Sequence, residues 1–143
     1  MTDPTPTEDP LSRAIDVLVR FFRHLDDGDY ESLAGLLDGE WHRQGRVLTT
    51  REGVMEALAA RSQTRRIHHL LTNVCGQEVA DGTIALTAYM LVVQHDSGTY
   101  LDGPAPLEGI TSIRTLRARA VATEDGWRIR WLKSDPPSFA AGL

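Results

Sequence analysis

The spacing of apolar residues predicts a helix at the start of the chain. The residues that recur every three or four positions are Leu11, Ile15, Leu18, Phe22 and Leu25. This is the period of an amphipathic helix. Asp9 followed by Pro10 supplies an N-cap and a first-turn proline, and Gly28 supplies the stop. The first helix is therefore predicted to run from Pro10 to Gly28.

Two shorter helices are predicted to follow the first. Asp29 is placed to cap a leucine-containing helix that stops at residues 38–39. A short extended segment is predicted at residues 40–48. The sequence Thr49-Thr50-Arg51-Glu52 fits a capping box, in which the threonine and the glutamate bond each other's backbone N–H groups. A third helix is expected to begin there.

From His68 onward the apolar period changes to two, which is the period of a β-strand. The four segments with this period are HLLTNVCGQEV, TIALTAYMLVVQH, TSIRTLRARAV and GWRIRWLK. Helices followed by antiparallel strands predict an α+β domain with the helices on one face of a curved sheet. Residues 1–8 show no apolar periodicity, so a mobile tail is predicted there. A single domain is expected over residues 9–143.

Composition narrows the possible functions. A chain of 143 residues is expected to form one globular domain. Its net charge of −5 argues against a nucleic-acid partner, which requires an excess of cations. The apolar run at 84–93 is about half the ~20 residues of a membrane helix, so no membrane association is expected. The opening residues do not resemble a secretory signal, and Cys75 is the only cysteine. A cytoplasmic protein with an inert, buried thiol is expected.

The sequence has no motif for a metal or a nucleotide cofactor. The histidines do not form a zinc-binding pattern, and His68 and His69 face opposite sides of a strand. A glycine-rich phosphate loop and a Gly-x-Ser-x-Gly nucleophile elbow are both missing. We therefore expect no metal and no cofactor.

Asp26 and His69 are the candidate catalytic residues. Asp26 lies about 40° from Phe22 around the predicted helix, within the apolar stripe, where a carboxylate needs a partner. An imidazole held by a carboxylate at one nitrogen can remove a proton with the other. Two structural alternatives remain open at this point: Asp26 as a cap near Gly28, and His69 as a structural residue of its strand.

The chain resembles a known family at three places. These are Leu-Asp-Asp-Gly-Asp-Tyr at 25–30, Glu40-Trp41, and His-Leu-Leu-Thr-Asn at 69–73 followed by Ala-Asp-Gly. Together they resemble the SnoaL-like branch of the nuclear transport factor 2-like superfamily, over roughly residues 9–135. The resemblance implies a cone-shaped α+β fold, in which a strongly bent, mixed or antiparallel sheet wraps three N-terminal helices around an apolar pocket.

Within this superfamily the chain is most similar to scytalone dehydratase and hexachlorocyclohexane dehydrochlorinase. That similarity implies that Asp26 orients His69. Ketosteroid isomerase has a carboxylate base near the positions of Gln44 and Gly45, so isomerase chemistry is disfavoured.

The acid that assists the leaving group is not evident from the resemblance. Several dehydratases carry a tyrosine or lysine about one turn before the aspartate, where this chain has Phe21 and Phe22. The acid is therefore missing or supplied by another residue. The candidates are Tyr30, Tyr89 and Lys133.

The expected activity is that of a cofactor-independent lyase, a dehydratase or dehydrohalogenase, acting on a small hydrophobic cyclic or polyketide-like molecule. The expected substrate-binding residues are Phe22, Tyr30, Trp41, Asn73, Tyr89 and Trp131. The alternative is a non-catalytic module for ligand binding or subunit association, because the small subunit of ring-hydroxylating dioxygenases has the same fold and is structural. Few charges lie on the sheet face around Thr111, Ile113 and Thr115, so a homodimer or homotrimer is expected.

Overall fold

Three helices lead the chain in the computed structural model, which describes residues 9–142. They are α1 (Pro10–Asp27), α2 (Tyr30–Leu36) and α3 (Arg51–Ala59). The Asp9 carboxylate caps α1 by accepting the Leu11 N–H at 3.3 Å, and Gly28 ends it in the left-handed conformation. The boundaries predicted for the first helix are thus confirmed. The tail predicted at residues 1–8 lies outside the described residues.

The caps of the shorter helices differ in detail from the prediction. Asp29 caps α2 as expected, but α2 ends at Leu36, because the next residue already belongs to a strand. The N-cap of α3 is Thr50, whose Oγ1 accepts the Gly53 N–H at 3.0 Å. The predicted capping box between Thr49 and Glu52 is therefore wrong by one residue. The residue three positions after Thr50 is a glycine, which has no side chain to bond back.

Seven strands form one curved, mixed sheet against which the helices pack. They are β1 (Leu37–Arg43), β2 (Arg46–Leu48), β3 (Arg65–Ala80), β4 (Thr83–Asp96), β5 (Ser112–Thr123), β6 (Gly126–Ser134) and β7 (Phe139–Ala140). The order is β2-β1-β6-β5-β4-β3, with β7 paired to β5. All pairs are antiparallel except β1 with β6, which are parallel. The predicted α+β class with a curved mixed or antiparallel sheet is confirmed. Which strands form the parallel pair, and the short strand β7, were not predicted.

The core lies between α1 and one face of the sheet, which we call the inner face. The side chains that α1 buries are Ala14, Val17, Leu18, Phe21, Phe22 and Leu25. They pack in one cluster with sheet residues that include Leu86, Leu116, Ile129 and Leu132. Phe21 meets Trp41 edge to face, with ring centroids 5.0 Å apart. No helix in the described range is both long enough and apolar enough to cross a membrane.

A bulge in β3 reverses which residues face inward. Thr72 pairs with Tyr89 and Cys75 pairs with Thr87, so β3 contains one more residue here than β4. Asn73 takes a positive φ of 52° at this point. Strict alternation from His69 would place Asn73 and Cys75 on the inner face, but the extra residue puts Val74 there instead. Cys75 is exposed, so its predicted burial is wrong.

Gly39 allows β1 to lie close against β6. A Cβ atom built at Gly39 would overlap the backbone carbonyl oxygen of Arg130. The pairing of β1 with β6 is irregular between Leu37 and Glu40, directly beside this contact. A side chain at position 39 would therefore force the two strands apart.

Replacing Gly39 by alanine is expected to destabilise the fold by at least ~2 kcal/mol, because the overlap is with backbone that cannot move away. Gly35→Ala is the matched control. Gly35 is exposed in α2 with open space around it, so alanine there should be neutral or stabilising by up to ~1 kcal/mol. Urea unfolding of both variants measures the difference. Equal midpoints for Gly39→Ala and the wild type would contradict the close approach of β1 and β6.

Candidate active site

Asp26 and His69 meet where the end of α1 crosses β3. Asp26 Oδ1 lies 2.5 Å from His69 Nδ1, and Asp26 Oδ2 accepts the backbone N–H of His69 at 2.9 Å. Both side chains are largely buried, with exposures of 7% for Asp26 and 10% for His69. The predicted hydrogen bond between the two residues is therefore present. The carboxylate bonds β3 rather than capping the end of its own helix.

The bond to Asp26 fixes which ring nitrogen of His69 is available. A carboxylate accepts hydrogen bonds, so Nδ1 carries the hydrogen and the lone pair of the neutral ring lies on Nε2. Within the described range, Nε2 has no hydrogen-bond partner. The Phe22 ring lies beside the imidazole, with centroids 5.3 Å apart. This arrangement leaves Nε2 free to accept a proton from a bound molecule.

His69 lines a cavity of about 1040 Å³ between the helices and the inner face of the sheet. The apolar part of the lining includes Phe22, Leu25, Trp41, Ile67, Met90, Val92, Leu116 and Leu132. Phe22 and Trp41 are thus the two predicted substrate-binding residues that lie at the cavity. A volume of this size accommodates a molecule with more than one ring.

The cavity is less apolar than predicted, because arginines form much of one side. The arginines that line it are Arg43, Arg46, Arg61, Arg65 and Arg114. Four of them lie two residues from an inward-facing residue of the same strand, so strand alternation directs their side chains inward. These four are Arg43, Arg46, Arg65 and Arg114. No aspartate or glutamate is among the described residues that line the cavity. The prediction of a largely apolar pocket is therefore wrong for this side.

Two of these arginines have a buried donor without an acceptor. The Nε atoms of Arg61 and Arg65 are buried and have no hydrogen-bond partner within residues 9–142. Arg61 Nη1 donates to the Leu25 carbonyl at 3.0 Å and to the Tyr30 hydroxyl at 3.2 Å. Its guanidinium also lies over the Tyr30 ring, 5.8 Å from the centroid. Tyr30 thus holds Arg61 in place beside the residue that precedes Asp26.

Arg43 completes the cationic side of the cavity. Its guanidinium lies over the Trp41 ring, 5.6 Å from the centroid. Burial, together with the positive charges of Arg61, Arg65 and Arg46, lowers the pKa of the Arg43 guanidinium from its usual value. Several positively charged guanidinium groups are therefore close together on this side of the cavity, where they are partly removed from water.

Tyr89 and Trp131 lie away from the cavity, which corrects their predicted role in substrate binding. Tyr89 alternates with the inward-facing residues Ala88 and Met90 of β4, so it points to the opposite, outer face and is 49% exposed. Trp131 precedes the buried Leu132 on β6, and its ring lies beside that of His42, with centroids 5.7 Å apart and the planes tilted by 56°. Neither side chain lines the cavity.

Asn73 and Tyr30 require the same correction. Asn73 is exposed at the β3 bulge, for the reason given above. Tyr30 packs against the core and bonds Arg61, but it does not line the cavity. Of the three candidates for the leaving-group acid, only Lys133 is in the lining, and its side chain is exposed on β6 next to the buried Leu132.

The segment that would carry an isomerase base forms the turn between β1 and β2. Gln44 and Gly45 line the cavity there and offer no carboxylate.

Within the described residues, no group of three or more histidine, cysteine, aspartate or glutamate side chains could hold a metal ion.

The arginines were missed at the level of sequence, although one signal was available. Arg65, Ile67 and His69 alternate along β3, and the same alternation that places His69 inward also places Arg65 inward. Arg43 has the same relation to the buried Trp41 on β1, whereas Arg61 carries no such signal. The position of Arg61 depends on the loop between α3 and β3, whose packing the local pattern does not specify.

Several solved structures of bacterial proteins have a similar fold. A nuclear transport factor 2-like protein with a cystatin-like fold, from Novosphingobium aromaticivorans, superposes with a TM-score of 0.69 at 19% identity, covering 91% of this chain and 83% of that one. A candidate scytalone dehydratase from the same organism gives 0.66 at 20% identity, covering 89% and 85%. A Catenulispora acidiphila protein solved in complex with S-DNPA gives 0.67 at 22% identity, covering 86% and 90%.

These identities show a shared fold and do not by themselves show a shared activity. No curated protein matches the sequence. The family model of the SnoaL-like domain matches residues 13–133, which is most of the chain. The helices, the curved mixed sheet and the cavity described above agree with that match, and the chain therefore belongs to the SnoaL-like family.

Proposed function

We propose that the protein is a cofactor-independent lyase of the dehydratase type, which acts on a small cyclic molecule bound in the cavity. One observation carries the proposal. The imidazole of His69 is bound by Asp26 at Nδ1 and lines a large cavity with Nε2 unpartnered in the described range. This is the arrangement required of a general base that works on a bound carbon acid.

The proposed reaction is the elimination of water from a β-hydroxy carbonyl compound. Nε2 of His69 removes the proton from the carbon next to the carbonyl. The electron pair of that C–H bond forms the new C=C bond, and the neighbouring C–O bond breaks. Asp26 stabilises the imidazolium while it exists, because the carboxylate is hydrogen-bonded to the ring.

The proton taken by His69 can then be passed to the leaving group. Transfer of that proton from Nε2 to the departing hydroxide forms water and returns the ring to its neutral state, so no further acid is needed. This agrees with the structure, in which the Tyr30 and Tyr89 side chains do not line the cavity and Lys133 is exposed. A halide leaving group, as in a dehydrohalogenase, would leave without this second transfer.

The similar structures support the choice of a small cyclic ligand. One of them is described as a candidate scytalone dehydratase, and another was solved with the small molecule S-DNPA bound. Phe22, Trp41 and Met90 supply apolar surface for the body of such a ligand.

A search for water loss tests the proposal. Wild-type protein is incubated with a panel of cyclic β-hydroxy ketones, and products are examined by mass spectrometry for the loss of one water. We expect at least one compound to be dehydrated by the wild type and not by His69→Gln. Compounds that bind, as shown by thermal shift, but are all recovered unchanged would instead favour the non-catalytic binding module.

The outer face of the sheet is proposed to join two or more copies of the chain. Tyr89 lies beside Thr72 and Thr115 there, and Leu70 lies one diagonal position away. Leu70 and Tyr89 are each about half exposed.

We place the protein in the cytoplasm, where the exposed thiol of Cys75 would stay reduced.

Light scattering at micromolar concentration is expected to give the mass of a dimer or trimer for the wild type. Tyr89→Glu should shift the mass toward the monomer, because a charge would be buried at the interface. Thr99→Glu, in an exposed loop, is the control and should keep the wild-type mass. A monomeric wild type would contradict the assembly.

A further inference from the structure

The arginines of the cavity suggest the chemical class of the substrate, which the activity alone does not specify. The whole chain has a net charge of −5, yet every formally charged residue in the cavity lining is a cation. The charge of the cavity is thus opposite to that of the protein. A neutral hydrophobic ligand would leave these cations without any function in binding.

Three of the arginines form a cluster, which we call the arginine cluster: Arg43, Arg61 and Arg65. None of them forms an ion pair within 4 Å in the described part of the chain. A negative charge that acts on the cluster is that of Asp96, which pairs with Arg65 across β3 and β4 and interacts with it electrostatically. Their charges act on one another, since Arg61 and Arg65 lower the pKa of Arg43. Asp96 offsets only part of this charge, so the three cations still repel one another, and a bound anion would relieve that repulsion.

The unpartnered donors of the cluster favour a carboxylate. Arg61 and Arg65 each bury an Nε–H group that has no acceptor in the described residues. Buried donors of this kind are costly unless a partner is supplied. The edge of a guanidinium formed by Nε–H and one Nη–H matches the two oxygens of a carboxylate.

The cluster lies at a useful distance from His69. Arg65 is four residues before His69 on the same face of β3, which corresponds to about 13 Å along the strand. The buried Ile67 lies between them on that face. Arg61 is fixed to the Leu25 carbonyl, next to Asp26. A ring system resting on Ile67 could therefore place its reacting carbon at His69 and an acidic group at the cluster.

We propose that the substrate is an acidic ring compound, whose carboxylate is bound by Arg43, Arg61 and Arg65 while its ring presents the reacting carbon to His69. The proposal rests on the proposed lyase function for the identity of the site. It makes a separate statement about binding, which can be tested without turnover.

The test compares a bicyclic acid with its neutral amide in the His69→Gln variant, which retains the cavity but not the base. Naphthoate and naphthamide have nearly the same shape and differ in charge. Titration of each compound is followed by isothermal titration calorimetry. We expect naphthoate to bind at least ~10-fold more tightly than naphthamide, because its hydrogen bonds to arginine are charge-assisted.

The preference for the acid should depend on the arginine cluster. Arg65→Gln and Arg43→Gln should each remove most of it, whereas Arg65→Lys should keep part of it. Arg119→Gln, on the outer face of β5, is the matched control and should leave the preference unchanged. Thermal unfolding of each variant verifies the fold, and two separate positions are used so that one unstable variant does not decide the result.

Equal affinity of His69→Gln for naphthoate and naphthamide would overturn the proposal, as would an unchanged preference in both Arg65→Gln and Arg43→Gln. Neither result would bear on proton abstraction by His69. Conversely, selective binding of the acid by a protein that dehydrates nothing would overturn the lyase function and leave the anion site intact.

Discussion

His69→Gln is expected to lower kcat/KM for dehydration by a factor of about 10² to 10⁴, the usual contribution of a general base. Glutamine is similar in size and polar, but it cannot accept the proton from a carbon acid at neutral pH. The fold should persist, because the side chain faces an open cavity and only its Nδ1 is used in a hydrogen bond. The rate is measured with any compound that the wild type dehydrates.

The neighbouring histidine provides the control for this result. His68 is next to His69 on β3 but is exposed on the opposite face, so His68→Gln should have the wild-type rate. A loss of activity in both variants would indicate damage to the strand rather than removal of a base. A fully active His69→Gln would contradict the assignment of His69 as the base.

Asp26→Asn is expected to lower kcat by about 10² or more and to change KM little. The carboxylate accepts two hydrogen bonds from His69, one from the backbone N–H and one from Nδ1. An amide has only one acceptor oxygen, so one of these donors would face the NH₂ group. The variant should therefore lose the ring orientation and the stabilisation of the imidazolium, together with about 1–3 kcal/mol of unfolding free energy.

Two comparisons separate this positioning role from a purely structural one. Asp27→Asn alters the exposed neighbour of Asp26 and should retain both activity and stability. If Asp26 acts through His69, then the double variant Asp26→Asn/His69→Gln should be no slower than His69→Gln alone. The positioning role would be contradicted if the rate losses of the two single variants were additive in the double variant. It would also be contradicted if Asp26→Asn raised KM and left kcat unchanged.

Local patterns placed each member of the dyad, but the pairing of the two residues came from the family resemblance. The helix period placed Asp26 on the buried stripe of α1, and the family resemblance paired it with His69 on the predicted strand. The caps at Asp9 and Asp29 and the stop at Gly28 are also local features, and all three are present in the structure. The caps and the helix stop require no knowledge of how distant segments pack.

The remainder of the cavity depends on features that are not local. One extra residue in β3 moved Asn73 and Cys75 to positions that simple alternation does not give. Arg43 and Arg61 reach the cavity from a hairpin and a loop, and they meet Arg65 only after the sheet has curved around α1. Tyr89 is a different case. Its inward neighbours Ala88 and Met90 already indicated by alternation that it faces outward.

Hydrogen–deuterium exchange into a ketone that cannot eliminate is the most direct test of proton abstraction by His69. Tetralone is bicyclic and has acidic C–H bonds next to its carbonyl but no leaving group, so only the first step of the reaction is possible. Proton NMR in D₂O follows the loss of those C–H signals with wild type, His68→Gln and His69→Gln. Exchange accelerated by wild type and by His68→Gln, but not by His69→Gln, is the predicted result. Bound tetralone that exchanges no faster with wild type than with His69→Gln would contradict the assignment of His69 as the base.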